Sequence, residues 1–187
     1  MRFAPRALPE RTWWIEPDRL LGGAYPGDLD PRIARDKIAA LLDVGIRTFV
    51  NLMEQRESNR DGVAFAPYAP IAAELARELE IECARFPIVD QKIPSVAEMR
   101  ATLAFIDERL ALGRPCFVHC WGGRGRTGTV AGIHLIRIGR ATPESFEARI
   151  RELRGADATL GSAPETEPQR SFVRRYPFDS GGTQDAI

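Results

Sequence analysis

The sequence predicts an α/β fold in which helices cover both faces of a mostly parallel sheet. Three strand-like runs span 46–52, 81–87 and Cys116–His119, and 46–52 is compact, apolar and β-branched, as in a central strand buried on both faces. Helical patterns separate these runs, and strands that alternate with helices are typical of parallel sheets. Ligands bind such sheets beyond the carboxyl ends of the strands, so we expect the functional site there.

The first half of the chain predicts a hairpin, a helix, the central strand and a second helix. In this arrangement Asp30 caps the first helix, Pro31 takes its first position and Gly45 ends it. The predicted elements are strands at 13–15 and 20–24, a helix at 31–43, a strand at 46–52 and a helix at 70–79.

The second half predicts two more strands and four helices. Ser95 and Glu98 have the spacing of a capping box, which predicts the start of the helix that follows the second parallel strand. The predicted elements are strands at 81–87 and Cys116–His119, and helices from Ser95 to Gly113, from near Arg126 to Ile138, from Thr142 and Pro143 onward, and over 165–175.

The composition predicts one domain over 13–176, with an N-terminal lead at 1–12 and a mobile tail at 177–187. Of the 187 residues, 44% are hydrophobic and 28% are charged, and no apolar run approaches the ~18 residues of a membrane span. Basic and acidic residues both number 26, so no long-range field favours nucleic acid. The N-terminus has no continuous apolar core of a secretory signal, and we expect a cytoplasmic protein.

The cysteines and histidines are too few for a disulfide framework or a zinc site. Three cysteines form an odd and sparse set, and the two histidines have no paired cysteines at zinc-binding spacing. The sequence therefore predicts no metal centre, and it leaves reactivity as one use for a cysteine. Cys83 and Cys116 are expected to be buried apolar residues. Cys116 is expected on the face of its strand opposite to the glycine-rich loop that follows this strand.

The most informative segment is the glycine-rich loop that joins the strand Cys116–His119 to the next helix. Three glycines between Cys120 and Arg126 allow successive amides to curl inward and form a nest for an anion. The N-terminus of the following helix adds positive potential at the same point. These groups would stabilise a thiolate at Cys120, while the planar fork of Arg126 could hold two oxygens of a tetrahedral oxyanion.

This loop has three simpler explanations. A glycine-rich turn can serve tight packing alone, and it can bind a dinucleotide, but the spacing is not Gly-x-Gly-x-x-Gly and no acidic residue ends a following strand. A cysteine six residues before an arginine can also occur by chance. The presence of His119, Thr127 and Gly128 within a strand, loop and helix favours the oxyanion site.

The segment 119–128 resembles the His-Cys-x-x-Gly-x-x-Arg-Thr-Gly signature of protein tyrosine and dual-specificity phosphatases. The chain is identified as a dual-specificity-like member of this cysteine-based phosphatase superfamily. The resemblance extends from about Trp14 to Tyr176, since 20–27 is also similar to an N-terminal segment of small dual-specificity-like members. It implies a four- or five-stranded sheet, a two-step reaction through a phosphocysteine, and no metal or organic cofactor.

The reaction also needs a proton donor for the leaving group, and Asp90 is the candidate. It follows the end of a predicted strand, where similar segments of small family members carry the general acid, although a solvated turn aspartate is the simpler alternative. The resemblance further implies that Thr127 hydrogen-bonds the sulfur and that Gln169 positions water, while an N-cap role for Thr127 stays open. His119 is expected to brace the loop.

The loop is also expected to bind the phosphate and to border the substrate. The predicted substrate-binding residues are Trp121, Gly122, Gly123, Arg124, Gly125 and Gly128. The aromatic surface of Trp121 favours phosphotyrosine or an aryl phosphate, whereas Arg124 could serve a second phosphate on an inositol ring. The protein substrate is preferred, and the inositol phosphate or phosphoinositide is the alternative.

Three further expectations concern function and surroundings. A sulfurtransferase and an inert phosphate-binding module rank lower, because Cys120, Arg126 and Asp90 are all present. Arg56 and Glu57 are expected to border the pocket. The sequence does not decide the oligomeric state.

Overall fold

The computed structural model describes residues 7–77 and 79–178, which form one five-stranded sheet flanked by helices. The predicted mobile tail is outside the described residues from position 179 onward. The strands are β1 (Thr12–Glu16), β2 (Leu20–Gly23), β3 (Thr48–Asn51), β4 (Glu82–Arg85) and β5 (Cys116–His119). The helices are α1 (Pro31–Asp43), α2 (Ala69–Ala76), α3 (Val96–Ala111), α4 (Gly125–Arg137), α5 (Phe146–Arg154) and α6 (Glu167–Arg174), with a 3₁₀ helix at Gly155–Leu160 between α5 and α6.

The sheet has the strand order β1-β2-β5-β3-β4, and β5 is its central strand. β1 and β2 form the predicted antiparallel hairpin, and every other neighbouring pair is parallel. The mostly parallel α/β fold is therefore confirmed. The carboxyl ends of the parallel strands share one edge of the sheet, which brings the loops after β3, β4 and β5 together.

The predicted helix starts depend on local capping, and two of them match closely. Asp30 accepts a hydrogen bond from the Arg32 amide at 2.8 Å at the start of α1. In the capping box of α3, the Ser95 hydroxyl accepts from the Glu98 amide at 3.2 Å. The predicted start of α5 at Thr142 is wrong, since the Thr142 hydroxyl closes a turn by accepting from the amide of Ser145 and the helix begins at Phe146.

Alternate residues of the central strand face two separate cores. Phe117 packs with Phe49 and Leu41 in a core that also contains α1 and α2. Val118 belongs to the other core, which involves α3, α4, α5 and α6. This burial on both faces explains why the sequence of β5 is mostly apolar. Among the helices in the described ranges, none has the length and apolar character to cross a bilayer.

Candidate active site

Cys120 lies directly after β5, at the floor of a cavity of about 560 Å³. The residue is buried, and the Thr127 hydroxyl lies 3.2 Å from Sγ, where it can donate a hydrogen bond. Thr127 therefore takes the predicted position beside the sulfur. It is not the N-cap of α4, because Arg124 occupies that position and no side chain caps the helix.

The loop between Cys120 and α4 is packed against the end of β2. Gly123 has a φ of 70°, and a Cβ at this residue would lie 2.5 Å from the carbonyl carbon of Gly23. Gly122 has open space around it. Of these two residues, therefore, only Gly123 must be a glycine, because of both its backbone conformation and its close approach to β2. The Trp121 carbonyl accepts from the Tyr25 amide at 3.0 Å, which attaches the same loop to the hairpin.

Arg126 is buried under the cavity and is held by two carboxylates. Glu57 accepts from Nη1 at 2.6 Å and from Nη2 at 2.8 Å, and the Asp90 carboxylate lies 2.8 Å from Nη2. Nη1 also donates to the Ile88 carbonyl at 3.0 Å. Burial opposes the charge and is the largest single influence on Arg126, but the hydrogen bonds to Glu57 and the negative charges of Cys120, Glu57 and Asp90 together raise its pKa. Its Nε is a buried donor without a partner in the described structure, so it can donate to an oxygen of a ligand.

Asp90 lies in the loop between β4 and α3, and its side chain is about half exposed. It lines the same cavity as Cys120, as expected of the predicted acid. The loop continues through Gln91, which has a φ of 60°. Two side chains from the start of α6 reach the loop: Gln169 Nε2 donates to the Lys92 carbonyl at 3.2 Å, and the Thr166 hydroxyl donates to the Gln91 carbonyl at 3.4 Å.

Gln169 is buried and its amide is engaged on both sides. Oε1 accepts from the amides of Glu165 and Thr166 at 3.1 Å, which completes the capping box of α6. The same amide group lies 3.0 Å from where a Cβ at Gly125 would stand. Gln169 therefore ties α6, the loop of Asp90 and the start of α4 together, and its proposed role toward water stays a prediction.

His119 lies on the opposite face of β5 from Cys120, within a cluster of aromatic rings. Its Nε2 is 2.7 Å from the Tyr68 hydroxyl, and its ring stacks on Phe117. Burial lowers the pKa of His119 to about 3, so the imidazole is neutral near pH 7. A neutral ring held by a tyrosine suits the predicted bracing role.

The remaining predicted residues lie at the rim and the helix start. Trp121 packs edge-on against Phe65, and Arg124 donates to the Glu165 carboxylate and the Leu160 carbonyl, so its charge is already paired. Gly125 is the first residue of α4, and Gly128 allows α4 to approach Pro164, whose backbone nitrogen lies 3.0 Å from where a Cβ would stand.

Three expectations about other residues were wrong. Cys83 is exposed on the edge strand β4, although partial burial of the thiol raises its pKa to about 11. Cys116 is buried as predicted, but it shares a core with Cys120 rather than facing away from it. Neither Arg56 nor Glu57 lines the cavity: Arg56 is exposed, and Glu57 instead holds the buried Arg126.

Sequence reasoning missed several residues of the cavity wall. Arg11, Arg60 and Arg154 line it, as does Glu165, the partner of Arg124. The position of Glu57 after a parallel strand was the one available signal for its role, and nothing local marks the arginines. Within residues 7–77 and 79–178, no group of three His, Cys, Asp or Glu side chains is placed to hold a metal ion.

Comparison with known proteins gives a family match over most of the chain. The family described as "Swiss Army Knife protein, DSP-PTPase phosphatase domain" matches residues 9–172. An uncharacterized protein of Methanocaldococcus jannaschii is 38% identical over 90 residues, which are 48% of this chain and 56% of that protein. A phosphatidylglycerophosphate phosphatase of Arabidopsis thaliana is 27% identical over 76% of this chain and 55% of its own length. The chain thus spans little more than half the length of these two relatives.

Solved structures show the same fold at low sequence identity. A kinase-associated phosphatase with its catalytic cysteine replaced by serine has a TM-score of 0.68 and 19% identity, covering 91% of this chain and 94% of that one. The structure of PTPMT1 in complex with PI(5)P has a TM-score of 0.64 and 20% identity, covering 89% and 94%. The catalytic domain of the PP-IP phosphatase SIW14 of S. cerevisiae has a TM-score of 0.64 and 13% identity, covering 93% and 90%.

Proposed function

The chain belongs to the DSP-PTPase phosphatase domain family of cysteine-based phosphatases, and we propose that it hydrolyses phosphomonoesters through a phosphocysteine on Cys120. One observation carries the assignment of roles: Cys120 and Asp90 line one cavity, and Arg126, which contacts Asp90, has an unpartnered Nε. Nucleophile, proton donor and oxyanion clamp are the three parts that phosphoryl transfer to a thiolate requires.

In the first step, the Cys120 thiolate attacks phosphorus and the bond to the leaving oxygen breaks. Asp90 gives its proton to that oxygen, so the leaving group departs as a neutral alcohol or phenol. In the absence of substrate the Asp90 carboxylate lies 2.8 Å from Nη2 of Arg126. A phosphate that binds Nε and Nη2 would take the place of Asp90 on the guanidinium and leave its carboxyl group available to the leaving oxygen.

In the second step, water attacks the phosphocysteine and the phosphorus–sulfur bond breaks. Asp90, now ionised, takes a proton from the water, and phosphate leaves with the oxygen of that water. The electron pair of the broken bond returns to Cys120 as a thiolate. The Thr127 hydroxyl at 3.2 Å can donate to the departing sulfur and stabilise it.

Two substrate classes have support. Phosphorylated protein, with phosphotyrosine or phosphoserine and phosphothreonine, remains the first candidate because Trp121 borders the cavity with an aromatic surface. Phosphoinositides, phospholipids and inositol phosphates are the second candidate. They are favoured by the arginines of the cavity wall and by relatives whose names specify lipid or inositol phosphate substrates.

The test is an assay of purified protein with phenyl phosphate, phosphopeptides and inositol phosphates, with Cys120→Ser as the comparison. We expect the wild type to hydrolyse phenyl phosphate and C120S to lose turnover while it still binds phosphate, because backbone amides and Arg126 form the anion site. Phosphate binding by C120S is measured by calorimetry. Equal turnover by the two proteins would refute the assignment of Cys120.

A further inference from the structure

Most of the charged groups of the cavity wall are already engaged. Two of its three carboxylates form ion pairs, Asp90 with Arg126 and Glu165 with Arg124, and the third, Asp157, lies near Arg154. Arg154 is itself buried and also donates to the carbonyls of Gly161 and Asp157. Once these pairs are set aside, the wall retains the positive charges of Arg11 and Arg60.

Arg11 is exposed, and the structure gives it no ion-pair partner among residues 7–77 and 79–178. Its φ of 59° is a left-handed conformation that non-glycine residues rarely adopt. Its carbonyl accepts from the Ala24 amide at 3.1 Å, and this amide lies against the nucleophile loop at Gly123. The backbone of Arg11 is thus held next to the nucleophile loop, and its guanidinium has no ion-pair partner within the described ranges.

Arg60 comes from the loop after β3 and reaches the same cavity. Its guanidinium carbon lies 5.9 Å from the ring centroid of Trp121, within the range of a cation–π contact. The side chain is exposed and has no carboxylate partner in the described part of the chain. The ring positions the guanidinium without neutralising it, so its hydrogen-bond donors remain available to an anion.

The size of the cavity exceeds what one phosphate group needs. Its volume of about 560 Å³ is that of a small-molecule site, which typically measures roughly 300–1,000 Å³. The chain as a whole has a formal net charge of zero, so the positive potential at the mouth is local. The predicted amide nest and Arg126 suffice to bind the phosphate that Cys120 attacks. Arg11 and Arg60 are not needed for that phosphate and are available to a second anion.

We infer that Arg11 and Arg60 form a second anion-binding subsite at the cavity mouth. This subsite favours the second substrate class over phosphorylated protein: small molecules that carry a second phosphate, as a monoester or a diester, besides the one that Cys120 attacks. This inference rests on the proposed function, and it departs from the sequence expectation that Arg124 serves the second phosphate. Glu165 already neutralises Arg124.

The test compares substrates that differ in the second anion: inositol monophosphate and inositol bisphosphate in solution. Charge-assisted hydrogen bonds from two guanidinium groups predict that kcat/KM for the bisphosphate exceeds that for the monophosphate by roughly 10- to 100-fold. Arg11→Gln and Arg60→Gln should each lower this ratio, mainly through KM, and the double variant should bring it near one. Arg56→Gln, which removes an exposed arginine of the same loop outside the cavity, is the matched control and should keep the wild-type ratio.

A second arm identifies the source of the second phosphate. Phosphatidylinositol monophosphate in phosphatidylcholine vesicles presents a monoester together with the diester, phosphatidylinositol presents the diester alone and serves as the control, and release of phosphate is followed. If the double variant R11Q/R60Q loses the preference for soluble bisphosphate, the second phosphate belongs to a free polyanion. If it loses turnover of the vesicle substrate to the same extent, the second phosphate belongs to a lipid headgroup. If neither small-molecule arm responds to the two arginines, or only a doubly phosphorylated peptide does, the inference is wrong. It is also wrong if R56Q lowers the ratio as much as R60Q.

Calorimetry on the C120S background separates this inference from the proposed function. If wild-type protein fails to hydrolyse phenyl phosphate, the proposed function fails. Tighter binding of bisphosphate than monophosphate by C120S, lost in C120S/R11Q/R60Q, would still support the subsite. Equal binding of both compounds would overturn it even where turnover is normal.

Discussion

The nucleophile loop (120–125) and the acid loop (86–94) meet above Arg126, but they are held in different ways. The nucleophile loop is held through backbone contacts: Gly123 is left-handed and lies close to Gly23 of β2, and the Trp121 carbonyl accepts from the Tyr25 amide. The acid loop exposes several side chains, and it is held partly by side-chain contacts from Arg126 and Gln169. A site can thus combine one loop held by backbone packing with another held by the side chains of other elements.

The largest effect is expected from the acid loop, at Asp90. Asp90→Asn keeps the size of the side chain but removes the transferable proton, so turnover of alkyl or phenyl phosphates should fall by about 10²–10⁴-fold. An activated nitroaryl phosphate should lose much less. The pH profile of kcat/KM should lose its basic limb, because that limb requires protonated Asp90.

Slow hydrolysis of the phosphocysteine could hide the dependence on the leaving group, since Asp90 also serves as base in the second step. Pre-steady-state bursts separate the two steps. If D90N retains both the basic limb and the wild-type sensitivity to the leaving group, Asp90 is a turn residue and the acid lies elsewhere.

The nucleophile loop is tested by a pair of adjacent glycines. Gly123→Ala adds a Cβ at a φ of 70° and 2.5 Å from the Gly23 carbonyl carbon, so the loop must shift. A displacement of about 1 Å at the reacting groups costs on the order of 100-fold in kcat/KM. Gly122→Ala meets no atom within 4 Å, and we expect its loss in kcat/KM on phenyl phosphate to be at least ~10-fold smaller. Equal losses would show that the strained glycine does not set the geometry of this loop.

Glu57 connects the two loops, because it holds the arginine that both of them contact. Glu57→Gln leaves the buried Arg126 with a neutral partner in place of a bidentate carboxylate. We expect the free energy of unfolding to fall by about 1–3 kcal/mol, as measured by urea denaturation, together with a rise in KM. Glu54→Gln, at an exposed position of the same loop, should change neither quantity. Similar stability of E57Q and E54Q would contradict the importance of this ion pair.

The smallest effect on catalysis is expected at His119, where the prediction concerns the pH dependence of stability. The folded state holds the pKa of His119 near 3, below the ordinary value of 6.5. Between these values the unfolded chain binds a proton that the folded chain does not, so acidification lowers the free energy of unfolding by up to ~1.4 kcal/mol per pH unit. His119→Gln should reduce this dependence between pH 6 and pH 4 in urea titrations.

His134 provides the comparison for that measurement. Burial lowers the pKa of His134 as well, but the hydrogen bond to Glu16 acts in the opposite direction. His134→Gln should therefore change the pH dependence of stability less than H119Q does. A larger change in H134Q would mean that the burial of His119 does not dominate the acid sensitivity.

The sequence by itself determined the α/β class, the order of the elements and the identity of the nucleophile loop. These features depend on residues that are close together in the chain. Apolar periodicity defined the strands, Ser95 and Glu98 defined a helix start, and glycines between Cys120 and Arg126 defined an anion nest. The strand Cys116–His119 was predicted with its observed bounds for the same reason.

Tertiary structure alone decided which charges meet. Glu57 and Arg126 pair across 69 positions, Arg124 is neutralised across 41, and no local pattern specifies such partners. Cys83 was expected to be buried because its strand was predicted without knowledge of its neighbours. The strand order that leaves β4 at an edge is a property of the whole sheet. Arg11 and Arg60 line the cavity for this reason too: folding brings the residue before β1 and the loop after β3 to one site, where neither arginine has an ion-pair partner in the part of the chain that the structure describes.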